Sequence, residues 1–345
     1  MRKHRFDKPF VTENGDSIEG LELAYQVWGS PDAEHSNVVW VCHALTANSD
    51  VADWWPGTVE PGKFLDPAKW MVICVNIPGS CYGSTGPLSI NPATGEPYYS
   101  DFPPLTMRDI ARALSLMADA LGLEHINTII GSSVGGFQAL EWAASEPWRF
   151  GRLALIATAP EATPWAIALD ETQRMAIMAD SSWGEPRPDA AAAGLAAARA
   201  IGLLSYRGGP AYNKTQRDAP VSEPFPQRRA CSYQRHQGGK LVKRFNAYSY
   251  ISILNAFDTH DIGRDRGGIA AALASIKVPA IVIGISTDII FPPQEMKALA
   301  DMLPYARYEE IYSDMGHDGF LVENRQLNDI LVPFMNDTAP NFTNK

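Results

Sequence analysis

The chain has 345 residues, 46% of them hydrophobic and 20% charged, with a formal net charge of −10. That length holds one large α/β domain or two smaller ones around a substantial core. The acidic balance argues against nucleic-acid and anionic-membrane surfaces, which both need clustered positive charge, and no run of about 18 apolar residues is present to span a bilayer. The segment Met1–Lys8 is basic but lacks the apolar stretch of a signal peptide, so a cytoplasmic location is expected. The four cysteines, Cys42, Cys74, Cys81 and Cys231, show no C-x-x-C spacing. Reduced thiols are expected, with Cys42 and Cys74 in the core.

Taken in chain order, Leu21–Trp28 alternates apolar and polar residues before Gly29, as a half-exposed strand does. Asn37–Cys42 and Met71–Ile77 are continuous apolar runs, the pattern of strands buried on both faces. Thr106–Leu123 has helical periodicity, with Gly122 near its end. An apolar run at Ile126–Ile130, a helical run at Phe137–Ala144 that stops at Pro147, and a strand at Leu153–Ala157 follow. Buried strands alternating with helices imply a mostly parallel, doubly wound α/β sheet with right-handed crossovers. After Pro160 the rhythm breaks. Residues 161–265 read as helical, alanine-rich from Ala190 to Ala200, with no central strand. Strands return at Val278–Ile285 and Tyr308–Tyr312, and Asp318–Met335 reads as a final helix ahead of a polar tail. Residues 1–160 plus 266–345 therefore form the expected core domain, and 161–265 a helical insertion over the carboxyl ends of the strands, where open α/β sheets bind ligands. Such an insertion serves as a lid, as an oligomerisation arm, or as both.

Between the strand ending at Ile130 and the helix starting near Phe137 lies Gly131-Ser132-Ser133-Val134-Gly135-Gly136. This is a Gly-x-Ser-x-Gly turn in the strand–turn–helix context that a nucleophile elbow requires. Serine attacks well only beside an oriented base, and on an α/β-hydrolase sheet the order is serine, acid, histidine. Asp288 follows the strand 278–285, and His317, the only histidine after Asp288, follows the strand 308–312 between Gly316 and Gly319. The order Ser133, Asp288, His317 results. Asp314 is a weaker alternative for the acid, and His43 reads as a structural loop residue. The oxyanion donors fall to the N–H groups of Val134 and, from the loop 43–48, Leu45. No H-E-x-x-H, Cys/His metal set or Walker A motif occurs, so no metal, nucleotide or permanently bound cofactor is expected.

A wider set of motifs narrows the reading. His43-Ala44-Leu45-Thr46, Asp53-Trp54-Trp55, Gly79-Ser80-Cys81-Tyr82-Gly83-Ser84-Thr85-Gly86-Pro87, Ser89-Ile90-Asn91-Pro92, Gln138-Ala139-Leu140-Glu141-Trp142, Phe291-Pro292-Pro293 and Gly316-His317-Asp318 together resemble the homoserine O-acetyltransferases of the α/β-hydrolase fold, from about residue 15 to 335. The resemblance implies a ping-pong reaction in which acetyl-CoA, as co-substrate, acylates the serine and the hydroxyl of L-homoserine takes the acyl group, toward methionine. It implies Ser133, Asp288 and His317 as triad, Arg199 and Tyr206 as the amino-acid-binding pair, Asp318 as holder of the substrate ammonium, and a homodimer through the lid helices. An arginine fork suits a carboxylate, and Asp318 is one residue from the base. The plainer readings are a solvated charge for Arg199 on its alanine-rich helix and a helix N-cap for Asp318. Where the family elbow has Gly, Met and Met, this chain has Ser132, Val134 and Phe137, which keeps succinyl-CoA open as donor; L-serine is likewise open as acceptor. An esterase or deacetylase follows if Arg199 and Asp318 do not face Ser133. A non-catalytic binding protein on the same fold is the reading from another class.

Overall fold

The computed structural model describes residues 1–220 and 223–336; the polar tail, from residue 337, lies outside them. Its strands are β1 (Arg2–Arg5), β2 (Phe10–Val11), β3 (Ser17–Ile18), β4 (Glu22–Trp28), β5 (Val38–Cys42), β6 (Met71–Val75), β7 (Ile126–Ser132), β8 (Phe150–Ile156), β9 (Ala280–Ile285) and β10 (Ala306–Ile311). Eight of them form one sheet in the order β1-β4-β6-β5-β7-β8-β9-β10, and β2 pairs with β3 apart from it. The strands from β6 to β10 run parallel, while β4 and β1 join antiparallel at one edge.

Strand alternation divides the core between the two faces of this sheet. Trp40, Ile129, Leu153 and Val282 pack on one side, where Trp40 meets Trp142 edge-on at 5.0 Å. Val39, Val41, Ile130, Ala154, Ile281 and Ile283 pack on the other, with Trp55. All five residues of β5 and all six of β9 are buried, which explains their unbroken apolar sequence. The helix Met107–Ala120 begins in a capping box, Thr106 accepting from the Asp109 N–H while the Asp109 carboxylate accepts from that of Thr106.

One expectation needs correction. The final helix is not continuous: it is split into Gly319–Val322 and Asn324–Asn336 around Glu323. The Phe320 carbonyl, which in an unbroken helix would accept from the Asn324 N–H, accepts the Trp55 indole N–H at 2.7 Å instead. The basic N-terminal segment, for which no element was expected, forms β1. β1 is an edge strand with no apolar signature, held by its ladder to β4 and by a Lys3–Glu22 ion pair at 2.6 Å.

The segment between β8 and β9 holds the helices Pro164–Met178, Ala192–Tyr206, Gly209–Thr215, Arg229–Val242 and Ala247–Asp258. Its two ends meet: Glu161 and Asp261 form an antiparallel bridge, the Ala162 N–H donates to the His260 carbonyl at 2.8 Å, and the Ile262 N–H to that of Pro160 at 3.0 Å. These helices form a roof in one respect: Asp170 and Arg199 from them line a single cavity with Ser133 and His317, which follow strand ends. Among the described residues no helix is long and apolar enough to cross a membrane.

Candidate active site

Ser133 ends the turn after β7 with φ 56° and ψ −127°, a conformation that costs a non-glycine residue about 1–3 kcal/mol. Its backbone is pinned on both sides. The Ser133 N–H donates to the Ile156 carbonyl at 2.9 Å, and the Ser133 carbonyl accepts from the Thr158 hydroxyl at 2.9 Å and the Gly136 N–H at 2.8 Å. The flanking glycines are required by close approach. A Cβ on Gly131 would collide with the Gly135 backbone, and one on Gly135 with the Cys42 carbonyl.

Asp288 and His317 come from the loops after β9 and β10. These loops are laced by Thr287, whose hydroxyl donates to the Ser313 carbonyl at 2.7 Å and accepts from the Gly316 N–H at 3.0 Å. Gly316 takes φ 66°, which lets the chain turn back. Both side chains are buried. Asp288 Oδ1 accepts from the N–H groups of Ile290 at 2.8 Å and Phe291 at 3.1 Å, and Oδ2 lies 2.7 Å from His317 Nδ1. That bond places a proton on Nδ1 and leaves Nε2 of the neutral ring as an acceptor. Burial opposes the imidazolium, but the charge and hydrogen bond of Asp288, helped by Asp318, outweigh it and raise the His317 pKa above its ordinary 6.5.

Ser133, His317, Val134 and Leu45 line one cavity of about 710 Å³. Val134 is the first residue of the helix Val134–Ser145. Among the described residues the N–H groups of Leu45 and Val134 have no hydrogen-bond partner, so both are free to receive an oxyanion. The alternatives are placed elsewhere. Asp314 is exposed. His43 is fully buried, with Nδ1 2.9 Å from the Ala44 carbonyl and Nε2 accepting from the Ile77 N–H at 3.2 Å; burial pushes its pKa down to about 4. It is a neutral structural residue.

The roof contributes Arg199 and Tyr206 to the same cavity. The Arg199 guanidinium lies 5.5 Å over the Tyr206 ring, and among the described residues no carboxylate pairs with it within 4.0 Å. It is half-buried against the cavity rather than a solvated surface charge. Asp318 also lines the cavity, but its Oδ2 accepts from Arg207 Nε at 2.8 Å. It heads the short helix Gly319–Val322 without a side-chain capping bond, so the N-cap reading is not realised. Arg207, Arg244, Asp170 and Gln173 reach the cavity without having been singled out in the sequence. Arg207 sits beside Tyr206, the one signal that would have found it; nothing in local pattern marks the other three.

A model of the alpha/beta hydrolase fold matches residues 37–324. A homoserine O-acetyltransferase of Cyclobacterium marinum is 46% identical over 322 residues, covering 93% of this chain and 91% of the relative. Among solved structures, a homoserine O-acetyltransferase from Bacillus anthracis superposes with a TM-score of 0.92 at 23% identity, over 100% of this chain and 98% of that one. Esterase E22 superposes with a TM-score of 0.88 at 23% identity, over 97% and 99% of the two chains. Both overlays speak for the fold alone.

Proposed function

This chain belongs to the homoserine O-acetyltransferases, acyltransferases of the α/β-hydrolase fold, and we propose that it works by a ping-pong acyl-serine mechanism with Ser133, Asp288 and His317 as its triad. His317 Nε2 takes the Ser133 proton as Oγ attacks the thioester carbonyl of acetyl-CoA. The N–H groups of Leu45 and Val134 hold the oxyanion, and the proton leaves with the CoA thiol. In the second half, Nε2 takes the proton of the homoserine hydroxyl, whose oxygen attacks the acyl carbonyl and releases Ser133, to which the proton returns.

Transfer prevails over hydrolysis when the acceptor hydroxyl is held in place, since positioning reaches effective molarities of about 10⁵ M or more. The observation that carries this reading is that one cavity holds both the elbow serine and Arg199, a cation without an acidic partner among the described residues. Arg199, beside Tyr206, receives the acceptor carboxylate, and the ammonium meets the acidic side chains of the same cavity, Asp318 among them.

Acetyl is the preferred donor. Of the three positions where the elbow departs from the family pattern, Val134 alone lines the cavity; Ser132 is buried, and Phe137 stacks on His260 at 3.9 Å in the core. The roof leaves Trp165, Met175, Met178 and Leu204 more than half exposed, which favours a homodimer through these helices. An acyl-CoA donor suits a cytoplasmic enzyme. The test is thiol release from acetyl-CoA or succinyl-CoA, each with homoserine or serine. Ser133→Ala is expected to abolish the initial burst, and retention of more than a few per cent of turnover would exclude Ser133 as nucleophile.

A further inference from the structure

The Leu45 N–H belongs to the peptide unit that also carries the Ala44 carbonyl, and in a planar trans peptide the two point to opposite sides. Whatever holds that carbonyl therefore aims the N–H. Two donors hold it: the Ala47 N–H at 3.0 Å and His43 Nδ1 at 2.9 Å. The ring can only donate there, because Nε2 accepts the Ile77 N–H at 3.2 Å and a neutral imidazole carries a single proton. A second strut reaches the same loop from the elbow helix. Gln138 is fully buried, and its Nε2 donates to the His43 carbonyl at 3.1 Å, while its Oε1 has no hydrogen-bond partner among the described residues. Reversing that amide would set two carbonyl oxygens against each other, so its orientation is determined. Gln138 stands one turn on from Val134 in the helix Val134–Ser145.

We infer, on the acyl-serine reading above, that His43 and Gln138 are positioning residues of the oxyanion hole. The ring sets the tilt of the Ala44–Leu45 peptide, and the amide sets its distance from the helix that carries Val134. Two N–H groups stabilise one oxygen only if both point at it, since a hydrogen bond weakens steeply with misalignment. Dipoles already aimed also need no reorganisation as the charge develops. Burial suits the ring to this part: it keeps His43 neutral, with a pKa of about 4, through the range in which His317 titrates. The motifs His43-Ala44-Leu45-Thr46 and Gln138-Ala139-Leu140-Glu141-Trp142 thereby acquire a common task, for their first residues bond to each other.

The test separates the two ring nitrogens. The amide of His43→Asn keeps a donor where Nδ1 sits. That of His43→Gln reaches the place of Nε2 and leaves the Ala44 carbonyl one bond short, and Gln138→Met removes the second strut at similar volume. Acylation by acetyl-CoA is followed by stopped-flow thiol release. Affinity is measured for methylboronic acid, whose adduct on Ser133 places a boron-bound oxygen where the oxyanion forms. His43→Gln and Gln138→Met are expected to acylate about tenfold to hundredfold more slowly, less than the loss of a whole donor. Boronate affinity should fall in step, with the half-saturating acetyl-CoA concentration unchanged, and His43→Asn should keep most of both. Equal losses in the two His43 variants, an undiminished rate in Gln138→Met, or slower acylation with boronate affinity intact would overturn the inference. So would ¹⁵N spectra of the wild type that place the His43 proton on Nε2, a reading independent of how any variant folds. A wild type that neither acylates nor takes up boronate would count against the acyl-serine reading, while the spectra would still decide which nitrogen holds the Ala44 carbonyl.

Discussion

Asp288 divides its two carboxylate oxygens between its own loop and the imidazole: Oδ1 takes the N–H groups of Ile290 and Phe291, and Oδ2 takes His317 Nδ1 at 2.7 Å. The acid is immobilised before it orients the base. Asp288→Asn keeps the shape but offers an amide where a proton acceptor is needed, favouring the wrong tautomer. The acylation rate with acetyl-CoA is expected to fall about 10⁴-fold, the loss seen for the equivalent change in a serine protease. A loss below tenfold in stopped-flow thiol release would show that another acid serves His317.

The pH dependence follows from the base. His317 must be neutral to accept the serine proton, and its pKa lies above 6.5, so kcat/KM is expected to rise with pH through that raised value. Asp318→Asn removes one of the charges that raise it, and the acid limb should move to lower pH. Stability runs the other way. A group whose folded pKa is raised adds stability below its unfolded pKa and loses that contribution as pH climbs through the folded value. Melting temperatures and rate profiles taken on one sample series would reveal both trends.

Arg199→Ala is expected to raise the homoserine KM about tenfold to hundredfold, the scale of a charge-assisted hydrogen bond, while the acetyl-CoA burst stays near its original size. Loss of the burst would move Arg199 to the donor half-reaction.

Arg244 connects the roof to the oxyanion loop. Its guanidinium donates to the Thr46 carbonyl at 2.5 Å and to the Tyr82 hydroxyl, one residue beyond Leu45 and across the neighbouring loop. Arg244→Ala should let the Leu45 N–H drift and slow acylation about tenfold to hundredfold, less than deleting an oxyanion donor outright, with little change in the donor KM. A rise in KM with kcat preserved would make Arg244 a contact for the CoA moiety.

Much of the core was legible because each signal was local. β5 and β9 announce themselves by unbroken apolar runs, and Ser133, Asp288 and His317 by their places at strand ends. What stayed hidden depends on contacts distant in sequence. The break at Glu323 is set by Trp55, more than two hundred residues away. β1 is a polar edge whose only cause is its partner strand. The pairing of Asp318 with Arg207 joins residues 111 apart. The roof is the least legible part, because its amphipathic helices carry no pattern that tells a cavity-facing aspartate such as Asp170 from a solvated one.

The neck at Glu161 and Asp261 has an outcome of its own. Chain enters and leaves the roof through one neck between adjacent strands, so the roof can loosen while Ser133, pinned to the Ile156 carbonyl and the Thr158 hydroxyl of the core, keeps its place. A molecule in that state would still load an acetyl group onto its serine but would surrender it to solvent. Mild denaturant should therefore convert synthesis into wasteful thioester hydrolysis before it extinguishes turnover.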